Sequence, residues 1–248
     1  MPETIEFHVV IPARLGSTRL PRKALADLGG RPLIAWTLER AQASGAASVH
    51  VATDDESIAG AVREAGSEAL MTSTGHRSGT DRLAEAVRIL ELSERAIVVN
   101  LQGDEPLMPP DCVVQVADLL NTDSEASIST LWEPVDSEKQ WRDPNVVKLV
   151  SDGRGRALYF SRAPIPHARD QDWPRTEARR HVGLYAYRAG ALREWPQLAP
   201  SALERYESLE QLRALSAGWL ITTARAIRPI PVGVDTADDL ERLRRSLG

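Results

Sequence analysis

Four cations fall within ten residues near the start of the chain: Arg14, Arg19, Arg22 and Lys23, in the run Pro12-Ala13-Arg14-Leu15-Gly16-Ser17-Thr18-Arg19-Leu20-Pro21-Arg22-Lys23. An apolar stretch, residues 7–11, leads straight into this run, so the cations follow a strand. Guanidinium and ammonium groups at the carboxyl end of a strand can neutralise an oligophosphate. Gly16 would let the backbone approach, and Ser17 and Thr18 would donate to phosphate oxygens. The bland alternative is a solvated basic loop. The spacing matches neither GxxxxGK[ST] nor GxGxxG, so neither a P-loop nor a dinucleotide turn is indicated. Carboxylates occupy comparable places: Asp104 and Glu105 follow the apolar run 96–101, and Asp235 ends Pro231-Val232-Gly233-Val234-Asp235.

Elements that bring such loops together can be read from the same chain. Residues 7–11, 48–52 and 96–101 read as strands, and 33–43, 57–65 and 82–92 as helices. This rhythm predicts an α/β fold with a doubly wound, mostly parallel sheet, whose ligands gather at the carboxyl ends of its strands. After about residue 127 the rhythm changes. Residues 146–150, 157–160 and 182–187 are strand-like without intervening helices, a mixed or antiparallel extension of the sheet. A polar loop rich in Pro and Arg, 164–180, lies among them. Residues 203–217 read as one helix, 219–224 as a strand and 238–247 as a closing helix. No internal repeat or low-complexity linker interrupts the chain.

Bulk composition narrows the classes. The 248 residues are 42% hydrophobic and 26% charged, enough for a buried core. A net charge of −5 lacks the basic excess of a nucleic-acid binder. Cys112 stands alone, cannot staple the fold, and reads as a small buried hydrophobe in a reducing compartment. Residues 1–7 carry no basic-then-apolar leader, and no run approaches the roughly 18 apolar residues of a membrane span. A soluble cytoplasmic protein without membrane or nucleic-acid partners is expected.

The run PARLGSTRLPRK resembles the PAR-x-x-S-x-R-L-P-x-K signature of sugar-activating nucleotidyltransferases, and among them looks closest to the 3-deoxy-manno-octulosonate cytidylyltransferases. Gly79-Thr80-Asp81-Arg82-Leu83-Ala84-Glu85, preceded by His76, and Val99-Asn100-Leu101-Gln102-Gly103-Asp104-Glu105-Pro106 continue the likeness. So do Tyr159-Phe160-Ser161-Arg162-Ala163, the segment from Arg180 to Arg188, Ser208-Leu209-Glu210-Gln211-Leu212-Arg213 and Gly233-Val234-Asp235-Thr236, in the family's order.

The resemblance implies a nucleotidyltransferase-like (GT-A/Rossmann-like) domain spanning 1–248. In it, 1–126 plus 219–248 form the nucleotide and metal core, and 127–218 form an acceptor-binding and dimerisation elaboration. It implies transfer of CMP from CTP to the acidic eight-carbon sugar 3-deoxy-manno-octulosonate (Kdo) by in-line attack with release of pyrophosphate, in a homodimer serving lipopolysaccharide biosynthesis. Arg14, Arg19, Lys23 and Asp104 would be catalytic. Pro12, Ala13, Arg14, Lys23, Ser78, Gly79, Thr80 and Gln102 would hold the nucleotide, with His76 and Arg77 near enough to take part. Asp104 and Asp235 would hold Mg²⁺, which takes oxygen ligands. Asp235 has a second reading, as N-cap of the closing helix, a place Thr236 can also fill. Arg162, His181, Tyr185, Glu210 and Gln211 match acceptor-binding positions, with Glu210 and Gln211 expected in the middle of a helix. Rival readings are a cytidylyltransferase for the 8-amino analogue of Kdo or another sugar acid, a non-catalytic CTP-binding regulator, and a dinucleotide oxidoreductase, which the glycine-poor first loop disfavours.

Overall fold

Strand and helix alternate through the first half of the chain, because short apolar runs are separated by helices with one apolar face. In the computed structural model, which describes residues 5–16 and 19–247, these are β1 (His8–Ala13), the short hairpin β2 (Asp27–Leu28) and β3 (Arg31–Pro32), α1 (Leu33–Gln42), β4 (Ser48–Thr53), α2 (Glu56–Glu64), β5 (Ala69–Met71), α3 (Gly79–Ile89), β6 (Ile97–Asn100) and α4 (Pro110–Thr122). The second half carries β7 (Ile128–Pro134), α5 (Glu138–Arg142), β8 (Lys148–Ser151), β9 (Ala157–Ser161), β10 (Arg179–Arg188), α6 (Ala189–Glu194), α7 (Ala202–Glu207), α8 (Gln211–Ser216), β11 (Ile221–Arg225) and α9 (Ala237–Leu247). Ser17 and Thr18, named above as phosphate donors, lie outside the described residues.

The main sheet runs β11-β7-β10-β6-β1-β4-β5. β1 pairs in parallel with β4 and β6, and β4 with β5, so their carboxyl ends open on one edge. β10 lies antiparallel between β6 and β7, and β8 and β9 attach to its amino-terminal part, which makes the sheet mixed in its second half. Successive side chains point to opposite faces, and both faces are covered. Val9, Ile11 and Val99 pack with α1, α2 and α4, while Val10 and Val98 pack with α3, α6 and α8. A strand buried on both sides must be apolar throughout, which is why β1 and β6 stood out in the sequence.

Two expectations need correction. Residues 203–217 are not one helix. α7 starts with a reciprocal capping box between Ser201 and Glu204 and ends at Ser208, which is left-handed at φ 52°. α8 begins only at Gln211, so Glu210 and Gln211 stand at a helix start rather than mid-helix. Arg213 reaches back to the Glu204 carboxylate at 2.9 and 2.5 Å and holds the two short helices folded against each other. The helical spacing is continuous across 203–217, so the periodicity gave no sign of the break. The second difference is an omission: β5, α4 and β7 were not read from the sequence, although Cys112, Val113, Val116, Ala117 and Leu120 make a buried helical face.

Gly155 ties β11 to the β8–β9 turn. It has φ +81°, its carbonyl accepts from Thr223 N at 2.7 Å, and a Cβ there would stand 2.9 Å from Thr223 O. Gly155→Ala should therefore cost about 1–3 kcal/mol, since the left-handed conformation and the contact both penalise a side chain. Urea denaturation with an unchanged slope and a lowered midpoint is the expected result.

Candidate active site

β1 delivers its backbone to the open edge of the sheet at Ala13, and the chain loops out before returning at Lys23. Arg22, just before Lys23, sits in the left-handed region at φ 55°, which costs an L-residue roughly 1–2 kcal/mol and turns the chain back toward the sheet. Lys23 Nζ then lies 2.5 Å from Asp104 Oδ2 and 3.0 Å from Asp235 Oδ1. Arg19 adds a second cation, 3.0 Å from the same Asp235 oxygen. Burial favours the neutral amine of Lys23, but Asp104 and then Asp235 outweigh it and hold the pKa above its usual value.

The two carboxylates come from distant segments stitched together by backbone. Asp104 follows β6, and its carbonyl accepts from Val234 N at 2.9 Å. A Cβ on Gly233 would lie 3.1 Å from Asp104 O and 3.2 Å from Glu105 Oε1, so a side chain at residue 233 would push these tightly apposed segments apart by a few tenths of an ångström. Asp235 does not cap α9. Thr236 Oγ1 accepts from Asp239 N at 3.2 Å, and Asp239 Oδ2 accepts from Thr236 N at 2.8 Å, which frees the Asp235 carboxylate to face Lys23. Burial, then Asp104 and Asp235, raise the pKa of Glu105 to about 8, so this third acid is protonated at neutral pH. Among the described residues no group of three or more His, Cys, Asp or Glu forms a metal cage. Asp104 and Asp235 nonetheless already converge on one cation, the Lys23 ammonium. Two carboxylates completed by phosphate oxygens and water are a donor set that suits a hard divalent ion.

Beside this cluster is a cavity of about 310 Å³ whose lining includes Pro12, Arg14, Lys23, Ser78, Gln102 and Asp104. Ala13, Arg19 and Gly79 line it as well, so the structure brings together most of the residues expected to bind the nucleotide. Thr80 is turned away, donating to Glu210 Oε2 at 2.9 Å. His76 also lines the cavity, paired with Glu85. Arg82, which the sequence reading gave no role, lines it too; it is 3% exposed and paired with Asp54 at 3.1 Å.

The expected acceptor residues form a second group. Two residues are looped out of β10 between Val182 and Tyr185, where the register with β7 shifts. His181 sits against Phe160 and Tyr185, at ring separations of 5.0 and 5.2 Å. Thr130 Oγ1 has one hydrogen and reaches Leu184 O at 2.8 Å, so it is left to accept from His181 Nε2–H at 3.0 Å. Enclosure drives the imidazole pKa down to about 3, and His181 is a neutral hydrogen-bonding group. Gln211 is buried, and Glu210 joins the group through Thr80. Arg162 is held apart by backbone: its guanidinium donates to Glu207 O at 2.7 Å and to Pro144 O at 3.0 Å. The sequence reading missed Lys148 and Glu207 around it; a lysine inside the apolar run NVVKLV was the one available signal.

Residues 8–225 match the sequence profile of the family described as Cytidylyltransferase. The chain is 51% identical over 248 residues to the 3-deoxy-manno-octulosonate cytidylyltransferase of Polynucleobacter asymbioticus, covering 100% of this chain and 98% of the relative. It is 53% identical to that of Halorhodospira halophila, covering 98% of each. Among solved structures it is similar to a CMP:2-keto-3-deoxy-manno-octonic acid synthetase complexed with CTP, with a TM-score of 0.91, 42% identity and 98% coverage of both chains.

Neutrality of His181 has a measurable consequence. Its folded pKa, about 3, lies below the usual value of 6.5. Between those limits the unfolded chain binds one more proton at this ring than the folded chain, so stability falls as pH falls through the window. The His181 ring resonances should not titrate between pH 5 and 8. Stability measured by urea denaturation should decline below about pH 6.5, with a shallower decline in His181→Gln.

Proposed function

We infer that this chain, which belongs to the cytidylyltransferase family, transfers CMP from CTP to 3-deoxy-manno-octulosonate and releases pyrophosphate. The observation that carries the chemistry is the convergence of Lys23 on Asp104 and Asp235 at the mouth of the nucleotide cavity. Full-length similarity to Kdo cytidylyltransferases supports the choice of substrates over the 8-amino analogue or a silent regulator.

In this reading Pro12, Ala13, Ser78, Gly79 and Gln102 frame the base and ribose, with Thr80 behind them on Glu210, and Arg14, Arg19 and Lys23 take the β- and γ-phosphates. Their charges orient the triphosphate and steady the leaving pyrophosphate, which is where negative charge accumulates in an in-line displacement at the α-phosphorus. Asp104 and Asp235 would hold Mg²⁺, which when bound supplies Lewis-acid stabilisation of phosphate charge and acidifies the attacking hydroxyl. Lys23 also holds the two acids together. On the acceptor side, Arg162 offers a cation to the sugar carboxylate, while His181, Tyr185, Glu210 and Gln211 take its hydroxyls. Neutral His181 and Tyr185 suit hydroxyl recognition, because they add no charge to an already crowded electrostatic site.

The same reading includes a homodimer in the cytoplasm that supplies activated sugar for lipopolysaccharide biosynthesis. Exposed apolar side chains on β9 and α7 support pairing through the second half of the chain: Leu158 is 62% exposed and Tyr206 90%. Among the described residues no helix is long and apolar enough to cross a membrane.

Pyrophosphate release from CTP should require both Kdo and Mg²⁺, stop on chelation with EDTA, and return when Mg²⁺ is restored. Asp104→Asn and Lys23→Ala should each lower kcat about 100-fold, equivalent to about 3 kcal/mol of lost charge stabilisation. Near-normal turnover in either variant would overturn these assignments, and CTP binding without Kdo-dependent release would overturn the acceptor.

A further inference from the structure

Both backbone groups of Arg162 are held by side chains from elsewhere in the chain. Its N–H donates to Glu207 Oε2 at 2.9 Å, and its carbonyl accepts from Lys148 Nζ at 2.8 Å. Lys148 is 0% exposed. An ammonium out of water is costly unless its donors are satisfied, and here all three N–H bonds are used: besides Arg162 O, they reach Asp143 O at 2.8 Å and Val146 O. Glu207 closes the other side. As the last residue of α7 it also accepts from Ser161 Oγ at 2.6 Å and Tyr159 OH at 3.4 Å. Burial pushes its pKa up, but these donors and the Arg162 N–H outweigh it, and Glu207 stays ionised.

The Arg162 side chain completes the clasp. Nε donates to Glu207 O at 2.7 Å, Nη1 to Pro144 O at 3.0 Å and Nη2 to Ser208 O at 3.5 Å. A guanidinium has five N–H bonds. Three are engaged among the described residues, which leaves one on each terminal nitrogen. The same contacts hold the left-handed turn at Ser208, two residues before Glu210. The Glu207 carboxylate therefore holds the Arg162 backbone at the end of β9, and from there the Arg162 guanidinium holds the carbonyls of the turn that precedes Glu210.

We propose that Glu207 is a positioning residue for the acceptor site: its carboxylate fixes the Arg162 backbone, and through the Arg162 guanidinium the α7–α8 turn, so that the remaining N–H bonds of Arg162 and the carboxylate of Glu210 are preset for a sugar acid. The proposal rests on the acceptor reading above and adds to it a residue that touches no substrate. A preset guanidinium loses little freedom on binding a carboxylate, so the benefit appears in acceptor affinity and leaves nucleotide binding alone.

The test is steady-state kinetics with CTP and Kdo on the wild type, Glu207→Ala, Glu207→Gln, Arg162→Ala and the Glu207→Ala/Arg162→Ala double variant, with thermal melts alongside. Glu207→Ala should raise the KM for Kdo at least tenfold and leave the KM for CTP within twofold. Glu207→Gln should recover most of the loss, since its oxygen can still accept from Arg162 N while its amide donates to Ser161 Oγ. The double variant should be within about twofold of Arg162→Ala alone, because both changes remove one interaction. Parallel rises in both KM values, or effects that multiply in the double variant, would overturn the proposal. Wild-type protein that binds CTP yet shows no Kdo-dependent turnover would instead overturn the acceptor reading on which it rests.

Discussion

Two carboxylates held around one ammonium are the constraint that organises this molecule. Asp104 and Asp235 repel one another, and Lys23 Nζ, 2.5 and 3.0 Å from them, offsets that repulsion. The three residues are far apart in the chain, 81 positions separating Lys23 from Asp104 and 212 separating it from Asp235. Parallel pairing of β1 with β6 puts the first two at one edge of the sheet. The Val234–Asp104 backbone bond and the absence of a side chain at Gly233 bring in the third. The apolar faces of β1 and β6, the short return through Arg22 and the cap at Thr236 all serve that convergence.

Charge is divided across the site. Around Lys23 are cations and acids that compensate one another. Around β10 the buried rings are polar and uncharged. The histidine is neutral, burial raises the pKa of Tyr185 and Tyr187, and the ionised groups Arg162 and Glu207 satisfy backbone before anything else. Such a division suits a reaction in which one substrate brings most of the negative charge and the other brings mainly hydroxyls.

Much of this was legible before any coordinates. β1 and β6 were visible as apolar runs because strands covered on both faces have few polar positions to interrupt them, and β4 by its alternating valines. The cationic loop was visible because four cations crowd a segment that follows a strand. Other parts left no local mark. α7 and α8 share one helical periodicity, and the break between them is set by Arg162 and Arg213, which act from outside the segment or across it. The role of Thr236 as the cap of α9 was one of two local options, and only the position of Lys23 shows why Asp235 is spared for the other task.

Residue types and their order along the chain determined which groups are available: a basic loop after the first strand, acids after two later segments, and polar residues in the second half. These properties are local, carried by composition and by periods of two and 3.6 residues. The tertiary structure decided which of those groups face one another. It chose Asp235 over a capping role, fixed the tautomer of His181 through Thr130, and gave Lys148 and Glu207 work that neither residue's neighbours in sequence reveal. Those outcomes depend on distances between segments that are remote in sequence, and electrostatics and hydrogen bonding act on distance in space.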